Sequence, residues 1–99
     1  MKLIKDYVDK IDEEIEDAKE YAEKYVEYNV KGDMTRASRY KEMANDELKH
    51  ATYIHEWAVK DIEEISKVYV APADMQEKWN KAHKEYVDRV AWIKHMLAM

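Results

Sequence analysis

Residues 28–35 read Tyr-Asn-Val-Lys-Gly-Asp-Met-Thr and contain Gly32, the only glycine of the 99-residue chain. Apolar residues recur at helical spacing on both sides of this segment, over about 3–30 and 34–68. A turn of three residues between two such stretches forces them into an antiparallel hairpin. Asp33, which follows the glycine, is suited to cap the second helix. We therefore predict a long two-helix hairpin as the main element of the fold.

A third helix is predicted after Pro72, the only proline. Apolar residues recur at helical spacing over about 74–98, and Asp74 with Glu77 resembles a capping box. One glycine and one proline supply too few turns for a sheet protein, so we predict an all-α fold. A chain of this size builds one core, and residues 1–99 are expected to form a single domain. The apolar stripe predicted for the second helix consists of Met34, Ala37, Tyr40, Ala44, Leu48, Ala51, Ile54, Ala58, Ile62 and Ile65.

Composition and charge exclude several classes of function. The absence of cysteine rules out disulfides, thiolate metal sites and cysteine nucleophiles. The net charge of −5 argues against nucleic acid as a partner, because nothing resembles a basic face for phosphates. No apolar run approaches the roughly 20 residues of a membrane span, and charges interrupt the start where a signal peptide is apolar. We therefore expect no membrane association and a cytoplasmic location.

Three ionisable residues fall on the apolar stripes of the predicted hairpin. Glu14 lies within a row of tyrosines on the first helix. Glu47 and His50 are one turn apart on the inward face of the second helix. An unpaired buried carboxylate costs several kcal/mol or stays protonated, so these groups need partners. Most other acids of the first helix fall outside its stripe and solvate the surface.

Counting along the hairpin predicts that these three side chains meet. Glu14 lies 18 residues before the glycine of the turn, and Glu47 and His50 lie 15 and 18 residues after it. At about 1.5 Å per residue, all three are roughly 22–27 Å from the turn. Two carboxylates and an imidazole at one level are typical metal ligands, and Glu-x-x-His places both of its side chains on one face. Tyr21, one heptad after Glu14, could orient a ligand carboxylate through its hydroxyl.

One chain supplies half of a di-iron carboxylate site. Such bundles use one glutamate from each of two helices and a Glu-x-x-His pair from each of the other two, whereas this hairpin has one of each. Two hairpins related by a two-fold axis would complete the set, with two Fe²⁺ ions balancing four carboxylates. We therefore expect a homodimer, a four-helix bundle completed by dimerisation, and one iron per chain. Mn²⁺ and Zn²⁺ are alternatives, because ligand type separates these metals poorly.

The same residues resemble a known family. The segments 13–16 (EEIE) and 46–51 (DELKHA), together with Tyr21 and the pair 56–57 (EW), are similar to the encapsulated ferritins. These are half-length members of the ferritin-like di-iron superfamily, and the Glu-x6-Tyr spacing is also similar to that of rubrerythrins. The matches cover roughly residues 11–60. The resemblance implies a ferroxidase centre, shared between two protomers, that oxidises Fe(II) to Fe(III) with oxygen or peroxide.

By this resemblance Glu14, Glu47 and His50 are the metal ligands and catalytic residues. Glu13 and Glu16 fall where encapsulated ferritins place secondary metal contacts on the way into the site, although a solvated acidic face explains them equally well. The family also implies rings of dimers and an encapsulin shell, which would enclose the protein in a nanocompartment. The targeting extension of that family has no visible counterpart after the third helix, and the glycine in the hairpin turn fits the rubrerythrins better.

A function of a different class is the alternative. The bundle could be a non-catalytic interaction module in which a Glu/His cluster, or a Zn²⁺ or Mn²⁺ ion, only stabilises the fold. His55 is expected to be partly buried, with a role as extra ligand or proton acceptor as its alternative. His83 and His95 are expected at the surface or in an interface. The apolar stripe of the third helix must be covered by its own hairpin or by a neighbouring chain.

Overall fold

The computed structural model describes residues 2–70 and 72–99. Its helices are α1 (Lys2–Lys31), α2 (Met34–Ser66) and α3 (Ala73–Leu97). No strand occurs in these described ranges, so the all-α prediction of a long hairpin followed by a third helix is confirmed. The helix ends differ from the predicted ones by one or two residues. The single-domain prediction also includes Met1 and Ala71, which lie outside the described residues.

The turn between α1 and α2 forms as its sequence predicts. Gly32 has a φ of +81°, a left-handed conformation that glycine adopts without strain. The carboxylate of Asp33 accepts a hydrogen bond of 3.1 Å from the backbone N–H of Arg36 and caps α2. The chain thereby reverses within three residues, and the bundle measures 55 × 18 × 18 Å. In the part of the chain that is described, no helix is apolar enough over a sufficient length to cross a membrane.

The start of α3 differs from the prediction. The helix begins at Ala73, and Pro72 occupies the cap position without a side-chain hydrogen bond to the helix. Asp74 lies inside the first turn, where its negative charge interacts favourably with the positive end of the helix dipole. The predicted capping box of Asp74 and Glu77 is therefore wrong. Pro72 has a φ of −54° and a ψ of 147°, the non-helical backbone that is typical of a cap residue.

The core of the hairpin combines small and branched side chains. Alanines let α1 and α2 approach closely, and isoleucines of α1 fill the space beneath α3. The buried residues of the two helices are Ile4, Ile11, Ile15, Ala18, Ala22, Ala37, Ala44, Leu48, Ala51 and Ala58. Met34, which the sequence places on the stripe of α2, is instead exposed, because it lies in the first turn at the end of the hairpin.

α3 packs against its own hairpin and runs parallel to α1. Near the start of α3, Trp79 lines an apolar cleft together with Ile4 at the start of α1. Ten residues later, Arg89 donates hydrogen bonds to Asp12 at 3.0 Å and to Glu16 at 3.3 Å. The hairpin of the same chain therefore covers the apolar stripe of α3, and one of the two arrangements that the sequence allows is observed.

Candidate metal centre

Glu14 of α1 meets Glu47 and His50 of α2 at one level of the hairpin. The ligand atoms of the three side chains all lie within 4.8 Å of one another. His50 Nδ1 is 3.6 Å from Glu14 Oε2 and 3.7 Å from Glu47 Oε2. Two atoms that bind one metal at about 2.1 Å each are at most about 4.2 Å apart. Small side-chain adjustments therefore let all three residues reach one ion, and no other group of three such residues occurs in the described ranges.

The cluster is graded from a covered floor to an open rim. The side chain of Glu14 is 12% exposed, that of Glu47 21% and that of His50 55%. The carboxylates therefore lie between the helices, while the imidazole borders the solvent. An ion can reach the site from outside without separation of α1 from α2, and a second protein surface can cover the rim.

Hydrogen bonding between the two carboxylates of the cluster shifts their pKa values in opposite directions. Their mutual hydrogen bond, with burial as the second cause, raises the pKa of Glu47 to about 7. The same hydrogen bond lowers the pKa of Glu14, and Lys10 lowers it further because its Nζ is 3.4 Å from Glu14 Oε1. Near neutral pH, the cluster thus contains a charged Glu14, a titrating Glu47 and a lysine counter-ion. A divalent cation could replace both the proton and the ammonium group.

Two further acids are predicted from the sequence as secondary contacts on the way into the site. Glu13 is exposed and shares a cation with the cluster, because its Oε2 lies 3.6 Å from Lys10 Nζ. Glu16 accepts a hydrogen bond from Arg89 on the side of α1 that contacts α3. Within the described residues neither acid belongs to the group that could hold a metal, and their role on the way into the site stays a prediction.

Tyr21 does not form the predicted hydrogen bond with a ligand carboxylate among the described residues. Its ring lies 6.2 Å from that of Tyr40, which in turn stacks on Tyr28 at 5.7 Å. These three rings join α1 to α2 between the cluster of Glu14, Glu47 and His50 and the hairpin turn. Their position supports a role for Tyr21 in packing α1 against α2.

The cluster opens onto the side of the hairpin that α3 leaves uncovered. Asp12 and Glu16 accept hydrogen bonds from Arg89 of α3. Each is two residues from Glu14 and therefore points about 160° away from it around α1, at 100° per residue. We call the uncovered side the open face. Beside the cluster it contains an apolar groove of about 320 Å³. The groove is lined by Leu3, Asp6, Tyr7, Lys10, Ile54 and Trp57. Trp57 is 59% exposed, so the open face combines a polar cluster with a large uncovered aromatic side chain.

A second pair of ionisable residues lies on the opposite side of α2. His55 Nε2 is 2.8 Å from His83 Nδ1, and the His55 ring stacks on Tyr86 with 4.4 Å between centroids. Burial, and secondarily the charge of His83, lower the pKa of His55. The partial burial predicted for His55 is confirmed. The pairing with His83 could not be predicted from the sequence, because periodicity does not specify how α3 is positioned along the hairpin.

The hairpin places two glutamates and a histidine within reach of one ion. Di-iron bundles use twice that number of ligands. No protein-family model matches this chain, and neither does any curated protein or solved structure.

Proposed function

We propose that this chain is a ferritin-like di-iron protein that oxidises Fe(II) to Fe(III) with oxygen or peroxide. The observation that supports it most is the meeting of Glu14, Glu47 and His50 at one level of the hairpin. Carboxylate oxygen and imidazole nitrogen are ligands that suit iron. The resemblance of segments 13–16 and 46–51 to encapsulated ferritins points to the same chemistry.

The proposal requires that the open face pairs with a second copy of the chain. One cluster offers three ligands, and a two-fold axis beside it would bring six, with four carboxylates to balance two Fe²⁺ ions. Trp57 and the apolar groove next to the cluster offer the aromatic and apolar surface that is typical of interface cores. Rings of such dimers, and an encapsulin shell around them, would leave this pairing intact. The cytoplasm is the compartment that we propose for it.

The residues of the cluster prepare it for a cation. Near pH 7, Glu47 is close to its pKa and Glu14 faces Lys10. Entry of a cation displaces the proton from Glu47 and moves the flexible ammonium group of Lys10 aside, so that both carboxylates face the ion with their charge. His50 supplies a nitrogen ligand at the exposed rim. Fe(II) is the substrate: two ions lose two electrons, which with two protons reduce O2 to H2O2, or H2O2 to two water molecules.

An anaerobic Fe(II) titration of the metal-free protein tests the proposal, with sedimentation velocity on the same samples. We expect saturation at about one iron per chain in a dimer. In the double variant Glu47→Ala with His50→Ala, binding and subsequent oxidation by O2 should fall by more than about 100-fold, because loss of outer-shell partners alone costs 10–100-fold. Glu63→Gln, an exposed glutamate of the same helix, is the matched control and should leave both unchanged.

A structural cluster in an interaction module is the second candidate function. The observation that favours it is Lys10, which already balances the charge of Glu14 at 3.4 Å. Under this alternative, Fe(II) does not bind tightly, and Glu47→Leu raises thermal stability because a partly buried acid is removed. Parallel titrations with Mn²⁺ and Zn²⁺ distinguish an iron site from a site for either of these metals.

A further inference from the structure

The imidazoles of His55 and His83 face each other across the junction of α2 and α3. The two nearest nitrogens, Nε2 and Nδ1, are 2.8 Å apart. Two nitrogens that bind one metal at about 2.05 Å are about 2.9 Å apart at a right angle and about 3.3 Å apart at a tetrahedral angle. The observed distance is thus within a few tenths of an ångström of the spacing that a chelated ion needs.

Aromatic rings of α3 pack against the His55 ring. Tyr86 stacks on it with an interplanar angle of 6°, and the centroid of the Trp79 ring lies 5.8 Å away. Both histidines line a cleft of about 10 Å³, together with Asp12 of α1. A space of this size is about that of one water molecule, so it accommodates a single small ion.

We propose that His55 and His83 form a second metal site, which binds one Zn²⁺ ion and fastens α3 to the hairpin. Imidazole is a ligand for Zn²⁺, Cu²⁺ and Ni²⁺, whereas Mg²⁺ and Ca²⁺ prefer oxygen, so the site selects the first group. His83 is exposed, so solvent water on its side of the cleft completes the coordination shell. The negative charge of Asp12 in the same cleft favours a cation, although one of its oxygens accepts a hydrogen bond from Arg89.

Metal binding at this pair requires a change of tautomer and a rotation of the rings. Without metal, the N–H of one ring points at the lone pair of the other. With metal, both of these nitrogens present lone pairs, so the donor ring carries its proton on its other nitrogen, and both rings turn until the two lone pairs converge on the ion. Starting from two neutral rings, this change releases no net proton. The site is complete within one chain and depends neither on dimerisation nor on the centre formed by Glu14, Glu47 and His50.

The fastening role follows from the other contacts that α3 makes. Its polar links to the hairpin include the exposed ion pairs of Arg89 and a 3.5 Å contact between Tyr86 and Thr52 hydroxyls. Exposed ion pairs of this kind contribute little. An ion that binds one histidine from each of α2 and α3 would therefore be the strongest polar link between them.

A Zn²⁺ titration of the double variant Glu47→Ala with His50→Ala tests this site, because that variant lacks two ligands of the first cluster. We expect about one Zn²⁺ per chain to remain bound, and Tm to rise by about 10–20 °C at free Zn²⁺ 100-fold above Kd. Addition of His83→Asn should remove both effects, and His55→Gln should do the same. His95→Asn, a change at another exposed histidine of α3, is the matched control and should preserve them.

Two results would overturn the site. The first is an absence of Zn²⁺ binding in the Glu47→Ala, His50→Ala variant. The second is binding that survives both His83→Asn and His55→Gln, with circular dichroism showing that each variant folds. Neither result affects the proposed ferroxidase centre, whose test measures Fe(II) in the otherwise unaltered chain.

Discussion

The two sides of α2 carry polar clusters of opposite character. On the open face, Glu47 and His50 meet Glu14, and the pKa of Glu47 is raised to about 7. On the other side, His55 pairs with His83 between aromatic rings of α3. The side chains of residues 50 and 55 point about 140° apart around the helix, which is why α3 covers one of them and leaves the other exposed.

The difference shows that the role of a polar residue on an apolar stripe depends on whether another helix packs over it. His55 finds its partner within the chain, because α3 packs over it. The acidic cluster has no such cover: Lys10 faces Glu14, and His50 borders the solvent. Under the function proposed above, a cation and a second chain complete this cluster. The same helix thus carries one group that is paired within the chain and one that is open to solvent.

Removal of the Glu47 carboxylate should have the largest effect, because it changes the cluster of the open face and leaves the pair of His55 and His83 intact. In Glu47→Gln, we expect the affinity of the open cluster for Fe(II) to fall by more than about 100-fold, since a ligand charge is lost and outer-shell changes alone cost 10–100-fold. Anaerobic titration measures this loss. Zn²⁺ binding at His55 and His83 should be unchanged. Fe(II) affinity equal to that of the unaltered chain would contradict the role of Glu47.

Removal of an aromatic side chain from the open face should weaken the dimer. Trp57→Ala is expected to raise the dimer dissociation constant by about 30-fold, because interface tryptophans commonly contribute 2 kcal/mol or more. Sedimentation velocity over a concentration series measures it. Trp92→Ala is the matched control: that tryptophan is 54% exposed, close to the 59% of Trp57, but lies on α3. Equal effects of the two variants would argue against pairing through the open face.

The pH dependence of metal binding should separate the two clusters. The pKa of Glu47 is about 7, well above its ordinary 4.5, so metal must displace a proton from it below neutral pH. We expect the Fe(II) affinity to fall by about tenfold per pH unit as the pH drops below 7, one proton for each ion. Isothermal titration in two buffers of different ionisation enthalpy counts that proton. An Fe(II) affinity that does not change between pH 5.5 and 7 would contradict the raised pKa of Glu47.

The stability of the metal-free protein should respond to pH in the opposite sense. Because the folded chain binds the Glu47 proton more tightly than the unfolded chain, this group contributes stability below pH 4.5, which is lost as the pH rises through about 7. Glu47→Gln imitates the protonated acid. It should therefore match the unaltered chain near pH 5 and exceed it by about 1–2 kcal/mol at pH 8 in urea unfolding. A loss of stability at pH 8 would contradict this assignment.

The smallest effect is expected at the ion pairs that help to hold α3. Arg89→Gln removes the hydrogen bonds to Asp12 and Glu16. Both acids are exposed, so the loss should be about 0.5–1 kcal/mol, measured by thermal unfolding at low and high salt. Fe(II) binding should not change, because α3 attaches away from the open face. A changed Fe(II) affinity would show that α3 and the metal centre are coupled.

The hairpin, and the level along it at which Glu14, Glu47 and His50 meet, could be predicted because both depend on local features. Periodicity defines the helices, and Gly32 defines where the chain reverses. Once the turn is short, distance along the chain becomes distance along the bundle, which is why Glu14, Glu47 and His50 were expected to meet. The predicted cap of α3 failed because the helix begins at Ala73, which places Pro72 at the cap position and Asp74 within the first turn.

Other parts of the site depended on rotation and register, which periodicity does not specify. Glu13 and Glu16 are neighbours of Glu14 in sequence, but each residue turns the helix by about 100°. Glu16 therefore faces Arg89 of α3, whereas Glu13 lies at the surface beside Lys10. Tyr21 lies one heptad after Glu14, but its ring packs near that of Tyr40, and its hydroxyl forms no hydrogen bond with Glu14 or Glu47 among the described residues. These details are decided by the shapes of the packed side chains.

The sequence by itself determined the three helices, the sharp reversal after α1 and the meeting of two glutamates with a histidine, because each follows from local periodicity and one short turn. Only the tertiary structure decided which side of the hairpin α3 covers, and therefore that His55 meets His83 while His50 stays at an open rim. The longer connection before α3 permits several registers, and the fit of apolar side chains selects one of them.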